Sequence, residues 1–301
     1  MISITTSAAL MCIMTGQKVP LTNLLRNLHL NYPPEKSKHL KVLLICLLCL
    51  PLIYAFTMVT LYAMFGPDYI FIFFCYGMEA EGKNKMYVIA CYKYFMYFVL
   101  FPTLPNLLSI TYSVSCRICY NHIRQLRIKA ENCSPKLFTP GMQMGFLKDR
   151  KQITKLAEEI QAVFSQASFV ICMANFMSCL SNLNQIIFYV ALNIVPTIIE
   201  ILFISSIALA SILFLFFNAG QIPIEMKRFS QILRDLHENR ILLGIVHKNS
   251  LVERLILDER TFILSGCDLI FFTRNGIFTV LGAILTYGLL IVSVDLQHQN
   301  Q

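Results

Sequence analysis

Residues 42–65 read VLLICLLCLPLIYAFTMVTLYAMF, a run without a single charged side chain. A helix rises about 1.5 Å per residue, so about 20 such residues cross a hydrocarbon core of about 30 Å. This run is long enough to span a bilayer. Three others match it: Tyr87–Cys116, Ile194–Phe217 and Leu269–Val294. A fifth segment, Ala162–Leu183, has the length but carries Gln166, Asn175 and Asn182. Amides are costly against lipid, so all three are expected to face other helices.

Two further apolar stretches are too short to cross. Residues 1–15 lack the basic start of a signal peptide and read as the end of a further span whose beginning is missing. Tyr69–Tyr76 reads as an outer-loop or re-entrant piece. The whole composition agrees with a lipid environment: of 301 residues, 56% are hydrophobic and 14% charged, with a mean hydropathy of +0.61. A water-facing domain carries roughly 25% charged residues. The 11 Cys lie mostly inside apolar runs and form no disulfide framework.

The net charge of +8 does not point to nucleic acid, because its distribution is blocky. Five Lys/Arg fall in residues 16–41, nine in 117–155 and seven in 227–260, together 21 of 25. Lys83 and Lys85 sit in the 66–86 loop beside Asp68, Glu79 and Glu81. The 184–193 connection and the tail after Val294 have none. Alternate connections are basic, the pattern of a consistently threaded chain with its basic loops in the cytoplasm. The C-terminus is then outside. A G-protein-coupled receptor has it inside, and carries Asp-Arg-Tyr or Asn-Pro-x-x-Tyr patterns that this chain lacks.

Residues 117–161 and 218–268 read as cytoplasmic helical extensions. Apolar residues recur at 146, 147, 153, 156, 157, 160, 163 and 164, a helical stripe running into the fifth segment. Phe229, Ile232, Leu233 and Leu236 form another stripe, and Val252, Leu255 and Ile256 with Phe262/Ile263 a third. Pro223 suits the start of a new helix.

No phosphate-binding loop, HExxH or nucleophile elbow occurs, and no enzyme activity or cofactor is expected. Cys116-Arg-Ile-Cys119-Tyr-Asn-His122 has the look of a metal half-site, but a closed structural zinc site normally needs four ligands and this is one short turn at a span's inner end; packing or acylated cysteines are the simpler reading. Glu200 lies about one turn inside the outer end of its span, with Lys93 similarly placed. Such charges line a cavity or ion path, or else snorkel or pair with each other. Arg274 reads as an interfacial anchor with Asp268 as a partner. Tyr62, Phe65, Tyr92, Tyr94, Tyr97, Asn184, Gln185 and Tyr189 enrich the outer half in aromatics and amides, which suits a small amphipathic ligand. Tyr62, Tyr94, Tyr97, Tyr189 and Glu200 are the candidate pocket residues.

The run from Ser265 to Val294, with Thr273-Arg274 and the Gly282…Thr286-Tyr287 spacing, resembles the end of arthropod gustatory receptors. That family's last span carries Thr-Tyr, five hydrophobic residues and Gln-Phe. Here Thr286-Tyr287 is followed by Gly288, Leu289, Leu290, Ile291 and Val292, and then by Ser293-Val294 in place of Gln-Phe. The resemblance implies an all-α, polytopic transmembrane helix bundle of seven spans with inverted topology. Counted back from the last, the five full spans are numbers three to seven, and the first is missing.

It also implies a ligand-gated cation channel, with a small-molecule tastant and the membrane lipid as partners. Four subunits, alike or related, would share one central pore in the cell membrane. Carried over, Thr286, Tyr287, Leu290, Ile291, Ser293 and Val294 would line or gate that pore. A Ser hydroxyl suits a hydrated ion, and Val and Leu suit a hydrophobic constriction. Two other readings stand beside this one, a membrane transporter and a G-protein-coupled receptor-like protein. A transporter would show paired, interrupted spans in corresponding halves. Pro51, Pro102, Pro105 and Pro196 are present, but no repeat is visible.

Overall fold

A computed structural model describes residues 2–31, 38–65, 83–191, 195–245, 250–257 and 262–299. They form an all-helical bundle: α1 (Ile2–Gly16), α2 (Lys18–Asn31), α3 (Lys38–Phe65), α4 (Lys83–Phe98), α5 (Leu104–Glu131), α6 (Pro140–Ala191), α7 (Val195–Leu242), α8 (Ser250–Leu257) and α9 (Arg274–Gln299). A two-stranded antiparallel hairpin, β1 (Ser265–Gly266) and β2 (Ile270–Phe271), precedes α9. Among the described residues, four helical stretches are long and apolar enough to cross a membrane, Val42–Phe65, Lys85–Glu131 (interrupted once), Pro140–Ile186 and Val195–Leu242; Arg274–Leu290 and Thr5–Gly16 are shorter apolar helices. The stretch Tyr69–Tyr76 lies outside the described residues.

The core is built where α5, α6 and α7 pack together. Each contributes a stripe at helical spacing: Tyr112, Cys116, Cys119, Ile123 and Leu126 from α5, and Phe216, Ala219, Ile222, Met226, Phe229 and Leu233 from α7. All eight apolar positions expected along α6, from Phe146 to Phe164, are buried. With 48 residues, α7 extends about 72 Å, more than twice the thickness of a bilayer core. Much of this core therefore lies at the basic end of the helices, where burial from water stabilises by about 1.5–3 kcal/mol per large side chain.

Among the described residues, the one buried carboxylate of this core is paired. Glu225 on α7 is 1% exposed and accepts a hydrogen bond from Arg127 Nε of α5 at 2.5 Å, with Arg228 Nη1 3.5 Å from its other oxygen. Arg127 also pairs with Glu131 one turn on. Buried Arg240 and Gln143 both donate to the carbonyl of Phe138, at 2.5 and 3.2 Å, and so hold the turn between α5 and α6.

Several sequence expectations are corrected. Pro223 starts no helix: α7 runs through it. The proline leaves the Ala219 carbonyl without its amide, but the buried stripe continues on both sides, and packing carries the helix across. The segment Tyr87–Cys116 is not one helix. A wide turn at Val99–Thr103 interrupts it, with extended backbone at Phe101 (φ −148°, ψ 121°). Ser7 of α1 donates to the Leu100 carbonyl there at 2.6 Å, satisfying a group the break releases.

Helix α9 begins at Arg274, not near Leu269, because the chain before it closes a tight turn with positive φ at Cys267 and Asp268. Among the amides of α6, Asn175 is buried and Asn182 donates to Ser205 of α7 at 2.9 Å, as expected. Gln166 is exposed instead, since it lies off the buried 160–164–167–171 stripe. Leu255 is likewise exposed while Val252 and Ile256 beside it are buried.

Candidate functional site

At the end of the bundle opposite the basic core, α3, α4 and α7 enclose a second cluster of aromatic side chains. Tyr54, Met58 and Tyr62 follow one another at four-residue steps on α3, Tyr94 and Phe98 do the same on α4, and Thr197, Glu200 and Phe203 are three apart on α7. Those spacings place each set on one helix face. The three faces meet at the carboxylate of Glu200. Tyr54 donates to Oε1 at 2.9 Å; Tyr62 and Tyr94 stand 3.3 and 3.5 Å from Oε2. The Tyr62 and Thr197 hydroxyls share a bond of 3.0 Å.

The rings form a continuous wall. Tyr54 lies 4.3 Å from Phe98 and 5.6 Å from Phe203, and meets Tyr94 edge-on at 5.8 Å. Tyr62 and Tyr94 stack at 6.2 Å. The tyrosines are buried, while Glu200 keeps some exposure. Of the candidate pocket residues, Tyr62, Tyr94 and Glu200 are brought together. Tyr97 is 37% exposed, and the side chain of Tyr189 lies outside the described residues. Glu200 meets tyrosine hydroxyls. Sequence reasoning missed Tyr54, Phe98 and Phe203; the Tyr54/Tyr62 spacing on α3 was the available signal.

The second candidate region is α9. Ile277, Val280, Ile284 and Gly288 turn inward onto α6 and α7, and a methyl group on Gly288 would lie 2.7 Å from Leu183 Cδ1. Thr286, Tyr287, Leu290 and Ser293 are on the exposed side, and Ser293 Oγ donates to the Leu290 carbonyl at 2.8 Å. The side chains of Ile291 and Val294 lie outside the described residues.

The foot of α9 is mounted on its neighbours. Gln161 of α6 acts as an extra strand partner for Ser265, donating to its carbonyl at 2.8 Å and its hydroxyl at 2.7 Å, and accepting from its amide at 2.9 Å. Ser165 accepts from the Cys267 amide at 2.9 Å. Against α7, a methyl group on Gly220 would lie 2.9 Å from the backbone nitrogen of Arg274. Arg274 sits over the Phe217 ring at 5.3 Å, and Asp268 accepts from Ser265 instead of pairing with it.

Comparison with known proteins agrees with this architecture. The family model described as trehalose receptor matches residues 114–301, more than half of the chain. No curated protein matches it in sequence. Among solved structures, the insect olfactory receptor OR5 from Machilis hrabei is similar, with a TM-score of 0.67 at 15% identity. The match covers 97% of this chain and 79% of that one. That likeness speaks for the helical fold, and the family match speaks for kinship: the chain belongs to the insect gustatory receptor family and is a multi-pass chemosensory receptor of the cell membrane.

Proposed function

We propose that this receptor is one subunit of a ligand-gated cation channel, opened by a small-molecule tastant and assembled as a homo- or hetero-tetramer of related chains. In this reading the basic connections are cytoplasmic and the C-terminus is outside. Residues 117–161 and 218–268 hold the subunits together below the membrane. Tyr62, Tyr94, Tyr97, Tyr189 and Glu200 belong to the ligand pocket. Thr286, Tyr287, Leu290, Ile291, Ser293 and Val294 belong to the pore.

The observation that carries the reading is the two-sidedness of α9. One face is fixed on α6 and α7. On the other, Thr279, Thr286 and Ser293 are exposed at intervals of seven residues, with Phe278, Leu285 and Leu289 exposed beside them. Seven residues are close to two helical turns, so the three hydroxyls form one row. A row of hydroxyls is poorly matched to lipid and well matched to a hydrated ion, and the flanking Leu residues suit a gate that closes by dewetting.

Patch-clamp recording tests this with Thr286→Cys and Ser293→Cys, using a tastant panel that includes trehalose, the sugar in the family model's name. A charged thiol reagent should suppress the evoked current of both variants and spare the wild type at α9. Permeation indifferent to substitution and thiol modification along 279–293 would remove α9 from the pore. Separately, a C-terminal epitope should be accessible on unpermeabilised cells; an inaccessible one overturns the orientation.

A further inference from the structure

We infer that the site at Glu200 takes a ligand with a positively charged amine, whose ammonium group is held between the carboxylate and the surrounding rings. The inference rests on the receptor reading for the existence of a ligand site and adds its chemical class. Three observations carry it.

The first is the setting of the carboxylate. Glu200 lies among Tyr54, Tyr62, Tyr94, Phe98 and Phe203, and its carboxylate oxygens meet tyrosine hydroxyls. An ionised carboxylate in such surroundings is costly unless a cation or strong donors compensate it. The second is the slack in its hydrogen bonds. Only Tyr54 lies within the 2.5–3.0 Å range of a good O–H···O bond; the contacts of Tyr62 and Tyr94 to Oε2 are 3.3 and 3.5 Å. A carboxylate has about four lone-pair directions, and the two long contacts on Oε2 are ones that a short ionic contact can displace.

The third is the wall of rings. Aromatic faces carry negative charge density and attract ammonium groups within about 6 Å of the ring centroid. Tyr54, Phe98 and Phe203 lie within 6.2 Å of one another, Tyr62 and Tyr94 stack at 6.2 Å, and Tyr94 meets Tyr54 edge-on. A polyhydroxylated ligand needs many polar partners. Here the tyrosine hydroxyls are already turned toward Glu200 and Thr197, which leaves ring carbon as the remaining surface.

The test uses the full chain in lipid nanodiscs and reads thermal unfolding against ligand concentration, with no channel current needed. The probes are benzylammonium and tetramethylammonium, with benzyl alcohol and glucose as neutral counterparts. A saturable rise in unfolding temperature with an ammonium probe, absent with benzyl alcohol at the same concentration, is expected. E200Q keeps an oxygen for the Tyr54 hydroxyl and removes the charge; it should weaken the ammonium response about 10- to 100-fold. Equal shifts from benzyl alcohol, a glucose response without an ammonium one, no shift with either ammonium probe, or an unchanged response in E200Q would each overturn the assignment. The wild-type comparison stands even if the variant fails to fold. Ammonium binding by a protein that passes no current would leave this site standing and remove the channel. Currents evoked only by neutral compounds, insensitive to E200Q, would do the reverse.

Discussion

Two of the carboxylates on helix α7, Glu200 near its start and Glu225 past its middle, are treated differently by the fold. Glu225 is closed inside the core and held by Arg127 and Arg228. Glu200 keeps some exposure and has tyrosine hydroxyls for company. The first charge is neutralised by the chain itself, so its energy is spent on holding α5 to α7. The second is met by neutral hydroxyls, which leaves it able to gain from an external cation. The basic end is built to stay fixed, and the Glu200 end to respond.

The sharpest way to break that contrast is to remove the internal counter-charge. Arg127→Met should destabilise the protein by about 3 kcal/mol, because it leaves Glu225 with only the distant and exposed Arg228. Thermal unfolding followed by size-exclusion chromatography reads the loss. Gly220→Val comes next, at about 1–3 kcal/mol, since its side chain would collide with the backbone of Arg274 and displace the foot of α9. Gln161→Ala should cost about 1–3 kcal/mol, because it leaves the amide and carbonyl of buried Ser265 without their partner. It should also shift the ligand concentration for half-activation, measured by dose–response recording; an unchanged half-activation would show that the clamp does not govern α9. The smallest effect belongs to E200Q without ligand, within about 1 kcal/mol. If E200Q unfolds as readily as Arg127→Met, Glu200 is a structural brace and the contrast collapses.

Most of the fixed half was legible in the sequence, because a packed helix repeats its apolar residues at a rigid interval. The stripe from Phe146 to Phe164 could be written down in advance for that reason. Pro223 misled because local preference is a weak signal where a stripe continues on both sides of it. Gln166 misled because a polar group within an apolar run can leave the packed face by one step of helical phase. The Glu200 site was half legible. Charge and aromaticity flagged Glu200, Tyr62 and Tyr94, and the spacing on α3 could have added Tyr54, but Phe203 joins only when three separate helices are brought side by side, and no spacing within one helix encodes that. The hairpin at 265–271 left even less trace, since its partner Gln161 is more than 100 residues away in sequence.

The Gly220 contact gives α7 a lever arm. Glu200 and Gly220 are 20 residues apart on one unbroken helix, about 30 Å along its axis. A tilt of about 2° about either point moves the other by about 1 Å over that length. At Gly220 there is no slack to absorb such a movement, because the backbone of Arg274 already touches it. With two backbones this close and no side chain between them to flex, a shift of α7 at Gly220 bears directly on the first residue of α9.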